Sequence, residues 1–160
     1  MIRTAAPADL PAILEVYARA RSFMAANGNP TQWGTTYPAE ELLEEDILLG
    51  RLFVDTVDGR ICGVFMFALG DDPTYSYIED GAWLNDSAYG VIHRVAADGT
   101  APGVLKRCVA FCRNRCPHLR IDTHADNHIM QKCIIKEGFT RCGTIYVEDG
   151  SRRIAYELLA

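Results

Sequence analysis

Apolar residues recur along this chain with two distinct periods. Leu10, Ile13, Tyr17, Ala20 and Met24 return every three or four positions, the spacing of one face of an α-helix. Pro7 and Asp9 suit the start of that helix and Asn27-Gly28 its end. Ile2–Ala6 before it reads as a short strand, and Asn29–Pro38 after it as a loop of turn formers carrying Trp33 and Tyr37. Ala39–Leu49 predicts a second helix closed by Gly50, with Glu40, Glu41, Glu44 and Glu45 on a strongly acidic face. Leu52–Val57 and Arg60–Leu69 then read as strands joined by the hairpin signal Asp58-Gly59. Asp71–Asp86 is irregular, with a strand expected around Tyr75–Glu79. Tyr89–Ala97 is a nearly continuous apolar run, the pattern of a strand buried on both faces. A loop over Asp98–Pro102 leads into a helix, Gly103–Cys116, stopped by Pro117. Leu119–Thr123 predicts a strand, Asp126–Glu137 a helix with Gly138 as its C-cap, and Phe139–Val147 and Arg152–Leu158 two last strands around Glu148-Asp149-Gly150.

That order predicts one mixed α/β domain over residues 1–160, with no linker or repeat. Apolar residues make up 49% and charged residues 23% of the chain, a balance that excludes disorder and collagen-like structure. No apolar run approaches the ~18 residues of a membrane span. The opening MIRTAAPADL has no apolar signal segment. The expectation is a cytoplasmic protein that does not bind a membrane, whose six cysteines stay reduced.

The net charge of −5 conceals a split. Residues 1–90 hold 14 acidic against 5 basic side chains, and residues 91–160 hold 7 against 11. An acidic first part and a basic second part suit two ligands of opposite charge, although two solvated surfaces of different composition would look the same. The acidic balance argues against nucleic acid as partner.

The loop Asp98–Gly103 joins a buried strand to a helix, whose first N–H groups lack partners and suit a pyrophosphate. Lys106, Arg107 and Arg113 add positive charge on or near that helix. Asn127 starts the next helix, where it either caps the backbone or meets a ligand. That helix closes on Lys136-Glu137-Gly138-Phe139.

Together these segments resemble the GNAT superfamily of N-acetyltransferases over the whole chain. The best local match is Asn127-x-x-Met130…Lys136-Glu137-Gly138-Phe139 against the family pattern N-x-x-A-x-x-x-Y-x-K-x-G-F. The pyrophosphate motif R/Q-x-x-G-x-G/A is met only at Gly103, with Thr100 and Leu105 at its other two positions, and the usual general-acid tyrosine falls on Ile134. The resemblance implies a twisted, mostly antiparallel sheet of about seven strands, helices on both faces, and two parallel strands that splay apart. Acetyl-CoA would lie in that wedge, with Val95, Ala96 and Ala97 along its pantetheine and Gly99, Thr100, Ala101, Gly103 and Val104 at its pyrophosphate. Asn127 and Met130 would complete the coenzyme site. The acidic N-terminal helices and the Trp33/Tyr37 loop would flank the acyl acceptor, a small cationic amine or a peptide.

Acyl transfer to an amine needs a base and a proton donor for the leaving thiolate. His93 is the favoured base, on the expectation that it faces the same side as Val95 and Ala97; the other reading is a core histidine bonded to backbone. Glu79, acting through water, is the alternative base, and Cys133 and Tyr146 are the candidate acids. Trp33, Tyr37, Tyr75 and Trp83 sit in loops, where they either pack on the core edge or form an aromatic pocket for an amine. Cys108, Cys112 and Cys116 form a helical stripe suited to core packing, and His124 and His128 lack the glutamate of a zinc helix, so no metal is expected. The rival expectation is an acyl-CoA-binding module without catalysis, motivated by Ile134 and the incomplete loop motif. The exposed final hairpin, Phe139–Leu158, suits pairing into a homodimer.

Overall fold

A computed structural model describes all 160 residues. In chain order the elements are β1 (Ile2–Thr4), α1 (Leu10–Ala26), α2 (Glu40–Leu48), β2 (Leu52–Val57), β3 (Arg60–Leu69), β4 (Gly90–Ala97), α3 (Val104–Arg113), β5 (Leu119–Thr123), α4 (His128–Lys136), β6 (Thr140–Tyr146) and β7 (Arg152–Leu158). The seven strands form one sheet in the order β1-β2-β3-β4-β5-β7-β6. Every neighbouring pair is antiparallel except β4 and β5. No helix is long and apolar enough to cross a membrane.

The two sheet faces are covered differently. On one face α3 and α4 bury Leu105, Cys108, Cys112 and Ile134 against Phe65, Phe67, Ile92, Ile121 and Tyr156. On the other, α1 and α2 set Ile13, Tyr17 and Leu43 on Val54, Val64, Met66 and Ala96. The long connection between β3 and β4 covers the rest of that face, with Tyr75 and Tyr89 packed on Val91, Ile145 and Ala155.

The strand expected around Tyr75–Glu79 does not form. Pro73 has no N–H to donate, and the Asp72 carboxylate accepts from the Thr74 amide at 2.9 Å, so the chain tightens into a 3₁₀ turn over Pro73–Tyr75. The connection reaches the sheet only further on. The Glu79 and Thr144 backbones exchange two hydrogen bonds of 3.0 and 2.8 Å, and the Ala82 amide donates to the Cys142 carbonyl at 3.0 Å. Gly143 permits that approach, because a Cβ there would lie 2.6 Å from the Glu79 carbonyl oxygen. The final hairpin is therefore less open than expected: β7 is interior, and the connection occupies part of the outer edge of β6.

Between β4 and β5 the pairing runs only over Gly90↔Leu119, Val91↔Arg120 and Ile92↔Ile121. Beyond Ile92 the strands part, and a bulge in β4 explains why. Met66 of β3 faces His93 and Val64 faces Ala96, so two β4 residues, Arg94 and Val95, stand opposite the single Phe65. Arg94 has φ +54°, unfavourable for a side chain of its size. Its conformation is held from both helices. The Tyr17 hydroxyl donates to the Arg94 carbonyl at 2.7 Å, and the Arg94 guanidinium donates to Asp46 at 2.5 Å. Asp46 is fully buried and also accepts from Arg51 at 2.7 Å. The extra residue also corrects the expected facing of His93. It shares the α1 side with Ala96 and not the side of Val95, which packs toward α3 and α4.

Asp46→Ala leaves the Arg94 charge buried without its carboxylate and is expected to lower the unfolding free energy by about 3–5 kcal/mol. A urea titration checks this; an unchanged midpoint would show that Asp46 does not hold the bulge.

Candidate active site

The parted strands open a cleft of about 1420 Å³ that runs from the end of α1, past β4 and β5, to the starts of α3 and α4. Its floor on one side is the edge of β4 beyond Ile92, which has no strand partner. At its mouth the loop from Asp98 to Gly103 turns into α3. Gly63 of β3 lets that helix start close to the sheet, since a Cβ there would lie 2.6 Å from Val104 Cγ1. Gly103 precedes α3 with no side chain capping it, and the amides of Gly99, Ala101, Gly103, Val104, Leu105 and Lys106 donate to no group of the protein. Such a set of outward amides at a helix start suits an anion.

The loop differs from expectation at two points. The Thr100 amide donates to the Asp98 carboxylate at 2.9 Å and its hydroxyl to the same oxygen at 2.5 Å, so Thr100 shapes the turn and does not line the cleft. Arg107 is held by the buried Asp55 at 2.7 Å and by the Pro102 carbonyl at 2.7 Å. Of the three expected cations on this helix, Lys106 alone lines the cleft; Arg113 sits in the last turn of α3.

On the α1 side of the sheet, His93 stands between two carboxylates. Its Nε2 lies 2.6 Å from Asp72 Oδ2, and its Nδ1 lies 3.4 Å from Asp122 Oδ1. The Tyr75 hydroxyl donates to Asp122 Oδ1 at 2.6 Å. Burial works against the charge on Asp72, but the hydrogen bond and charge of His93 and the Thr74 contacts outweigh it and bring the Asp72 pKa down to about 2. Burial first, and then the Asp122 carboxylate, push the Tyr75 phenol well above its ordinary range, so it stays a donor. His93 is thus bonded to side chains and not, as one reading had it, to backbone.

Along with His93, the cleft brings together Val95, Ala96, Ala97, Gly99, Ala101, Gly103, Val104, Asn127, Met130, Cys133, Trp33 and Tyr37. Asn127 caps α4 through the Met130 amide at 3.0 Å, and its Nδ2 reaches Gln32 at 3.1 Å, which ties α4 to the Trp33 loop across the cleft. Trp33 packs edge-on to Tyr17 with centroids 5.6 Å apart. Cys133 is the one cysteine that lines the cleft, while Ile134 is fully buried in the core.

Other expected site residues lie elsewhere. Glu79 and Tyr146 bond to each other and Glu79 also accepts from Tyr77 at 2.8 Å, outside the cleft, because the bridge to Thr144 holds Glu79 at the β6 edge. Tyr75 is buried, and Trp83 donates to the Tyr75 carbonyl at 2.9 Å while its ring stacks 4.1 Å from the Arg120 guanidinium. Both pack the long connection onto the sheet and form no acceptor pocket. Glu40, Glu41, Glu44 and Glu45 do not line the cleft; α2 contributes Leu42.

Asp72, Asp122 and Thr123 also line the cleft, and no motif in the sequence marks them. The alternation in Leu119-Arg120-Ile121-Asp122-Thr123 is a signal for Asp122, since it places two charged side chains on one sheet face. Thr123 lines the cleft, while its Oγ1 is buried and has no hydrogen-bond partner.

Known proteins place this fold. No protein-family model matches the chain, and no curated protein matches it. Solved structures do. A GNAT-family acetyltransferase from Streptococcus agalactiae superposes with a TM-score of 0.91 at 28% identity, covering 100% of this chain and 95% of that one. A putative acetyltransferase from Salmonella typhimurium, solved with its cofactor acetyl-CoA, gives 0.61 at 20% identity over 99% of this chain and 92% of that one. The ribosomal-protein-S18-alanine N-acetyltransferase of Escherichia coli gives 0.63 at 15% identity over 99% and 92%. At those lower identities the likeness concerns the fold alone. A seven-stranded sheet with one splayed parallel pair is the framework of an acyltransferase. The chain shares the fold of the GNAT-family acetyltransferases.

Replacing Thr123 with valine removes an unpaired buried hydroxyl and is expected to raise the unfolding free energy by about 1 kcal/mol. Thermal or urea unfolding measures it, and a loss of stability would show that the hydroxyl is paired in solution.

Proposed function

We propose that the protein transfers an acetyl group from acetyl-CoA to the primary amine of a small cationic molecule or peptide, by direct attack within a ternary complex. One observation carries this reading: the edge of β4 from His93 to Ala97 is open toward β5 and ends on a helix start whose amides have no partner. At ~3.3 Å per residue that edge offers about 16 Å of backbone donors and acceptors to an extended arm. The Salmonella structure, solved with acetyl-CoA, supports this reading of the cleft.

In this reading the amides of Gly99, Ala101, Gly103 and Val104 hold the pyrophosphate, with Lys106 beside them. His93 takes a proton from the incoming amine. Asp72 holds Nε2 and so fixes which nitrogen carries the ring proton and which is free to act. Nitrogen attack on the thioester carbonyl releases coenzyme A as a thiolate. Ile134 has no proton to give, so the thiolate is protonated by Cys133, the one thiol in the cleft, or by water entering from solvent. The buried Ile134 also favours a second reading, a module that binds acyl-CoA without turning it over.

Mixing the protein with acetyl-CoA and a panel of primary amines, and following free thiol, separates the two. Amine-dependent thiol release is expected. Tight binding of acetyl-CoA with no release on any amine selects the module, and no binding at all defeats both. His93→Ala is expected to lower kcat by about 100-fold or more with the Kd for acetyl-CoA unchanged. Unaltered turnover removes His93 from the mechanism, and an acetylated Cys133 trapped in turnover contradicts direct transfer.

A further inference from the structure

Asp122 lies in β5 one residue past the last β4–β5 pair, at the point where the wedge opens. Its side chain is 9% exposed and lines the cleft. Oδ1 accepts the Tyr75 hydroxyl at 2.6 Å, while Oδ2 accepts no hydrogen bond from the protein. His93 Nδ1 stands 3.4 Å from Oδ1. Because Asp72 takes the proton on Nε2 at 2.6 Å, a neutral His93 turns the lone pair of Nδ1 toward Asp122. Nδ1 and the Asp122 carboxylate are then two adjacent acceptors, Nδ1 and Oδ2 receive no hydrogen bond from the protein, and Tyr75 holds Asp122 there. Both line the cleft, so a donor that enters it can meet the two together.

A group that meets both acceptors is small, carries at least two N–H or O–H donors on one atom, and is favoured by positive charge, since the Asp122 carboxylate borders its place. A primary ammonium meets all three conditions. An alcohol brings one donor and no charge, and a quaternary ammonium brings no donor. We infer that Asp122, held in place by Tyr75, binds the protonated primary amine of the acyl acceptor against Nδ1 of His93, so that the site selects alkylammonium acceptors over neutral amines. This rests on the reading of the cleft as an amine acetyltransferase. In the step that follows, one N–H bond of the ammonium breaks, its proton passes to Nδ1, and its electron pair stays on nitrogen as the nucleophile. The resulting imidazolium then lies between Asp72 and Asp122. Asp72 is a positioning residue in this scheme, and Asp122 touches the substrate.

The test compares n-butylamine, protonated near neutral pH, with aniline, neutral there. Asp122→Asn is expected to lower kcat/KM for n-butylamine on the order of 30-fold, mainly through KM. For aniline it is expected to lower kcat/KM less than about threefold. The Kd for acetyl-CoA should not change. Equal losses for both amines would make Asp122 a structural residue, and no loss for n-butylamine would exclude it from the site; either overturns the inference. A second measurement uses the wild-type protein and needs no turnover. In a ¹⁵N-labelled sample, n-butylammonium is expected to shift the His93 ring nitrogen signals and n-butanol to leave them in place. Shifts with both, or with neither, overturn the inference. If the ammonium shifts are seen but no acetyl-CoA binds, the ammonium site stands and the acetyltransferase reading fails.

Discussion

The whole site depends on one extra residue in β4. A strand that kept its register past Ile92 would present a continuous edge to β5, and the two would pair to their ends. Arg94 prevents this by adopting φ +54°. The cost of that conformation is met by contacts from two separate helices, the Tyr17 hydroxyl on its carbonyl and the Asp46 carboxylate on its guanidinium. Those helices therefore do more than cover the sheet. They fix the position of the bulge along β4, and hence the depth of the wedge. A buried charged pair is a weak source of net stability but strongly disfavours arrangements that separate its partners. Here the separated arrangement is the zipped sheet.

The same residue reverses the facing of everything beyond it. Without a bulge, His93 would share a side with Val95 and Ala97; with it, His93 points to the α1 face while Val95 points toward α3 and α4. The wedge thus has two chemically different sides. On the α3/α4 side lie the free amides of the loop, Lys106 and the orphaned Thr123 hydroxyl. On the α1 side lie His93 and its two carboxylates. The wedge has a cationic and an acidic side, but these do not follow the division of charge along the chain: the acidic side takes Asp72 from the first part and Asp122 from the second, and none of the glutamates of α2. Those glutamates are a solvated face. Asp46, in the same run of acidic residues, is the fully buried one.

The strands were legible because each is a short apolar run bounded by turn residues. Leu52–Val57, Arg60–Leu69, Leu119–Thr123 and Arg152–Leu158 form as expected to the residue, and the splayed parallel pair implied by the family likeness is present. The bulge was not legible. An arginine with positive φ carries no local signature of the kind glycine or asparagine gives, and its cause lies in contacts 48 and 77 residues away. The aromatics of the long connection misled for a related reason. Loop composition suggests exposure, yet a connection laid across a sheet must bury its own apolar side chains, and Tyr75 and Trp83 do so. Glu79, expected as an alternative base, and Tyr146, expected as an acid, lie away from the site, because the backbone bridge at Thr144 holds them at the far edge of the sheet.

What orders that connection also orders the site. Residues 70–89 hold little regular structure beyond the turn at Pro73–Tyr75, yet Asp72 and Tyr75 must be placed to fractions of an ångström to bracket His93 and Asp122. The fastening is a buried polar network on the same sheet face. Glu157 of β7 accepts from Arg120 at 2.6 Å and from the Leu84 amide at 2.6 Å, and its Oε2 lies 2.7 Å from His118 Nε2. Arg120 reaches the Asn85 carbonyl at 2.9 Å and lies between the rings of Trp83 and Tyr89, 4.1 and 4.0 Å from their centroids. Arg120 and Asp122 are two residues apart in β5 and so share a face. One strand thus carries both the residue that fastens the connection and the residue that receives Tyr75 from it. Fastening and recognition cannot drift apart, because the spacing between them is that of a single β-strand.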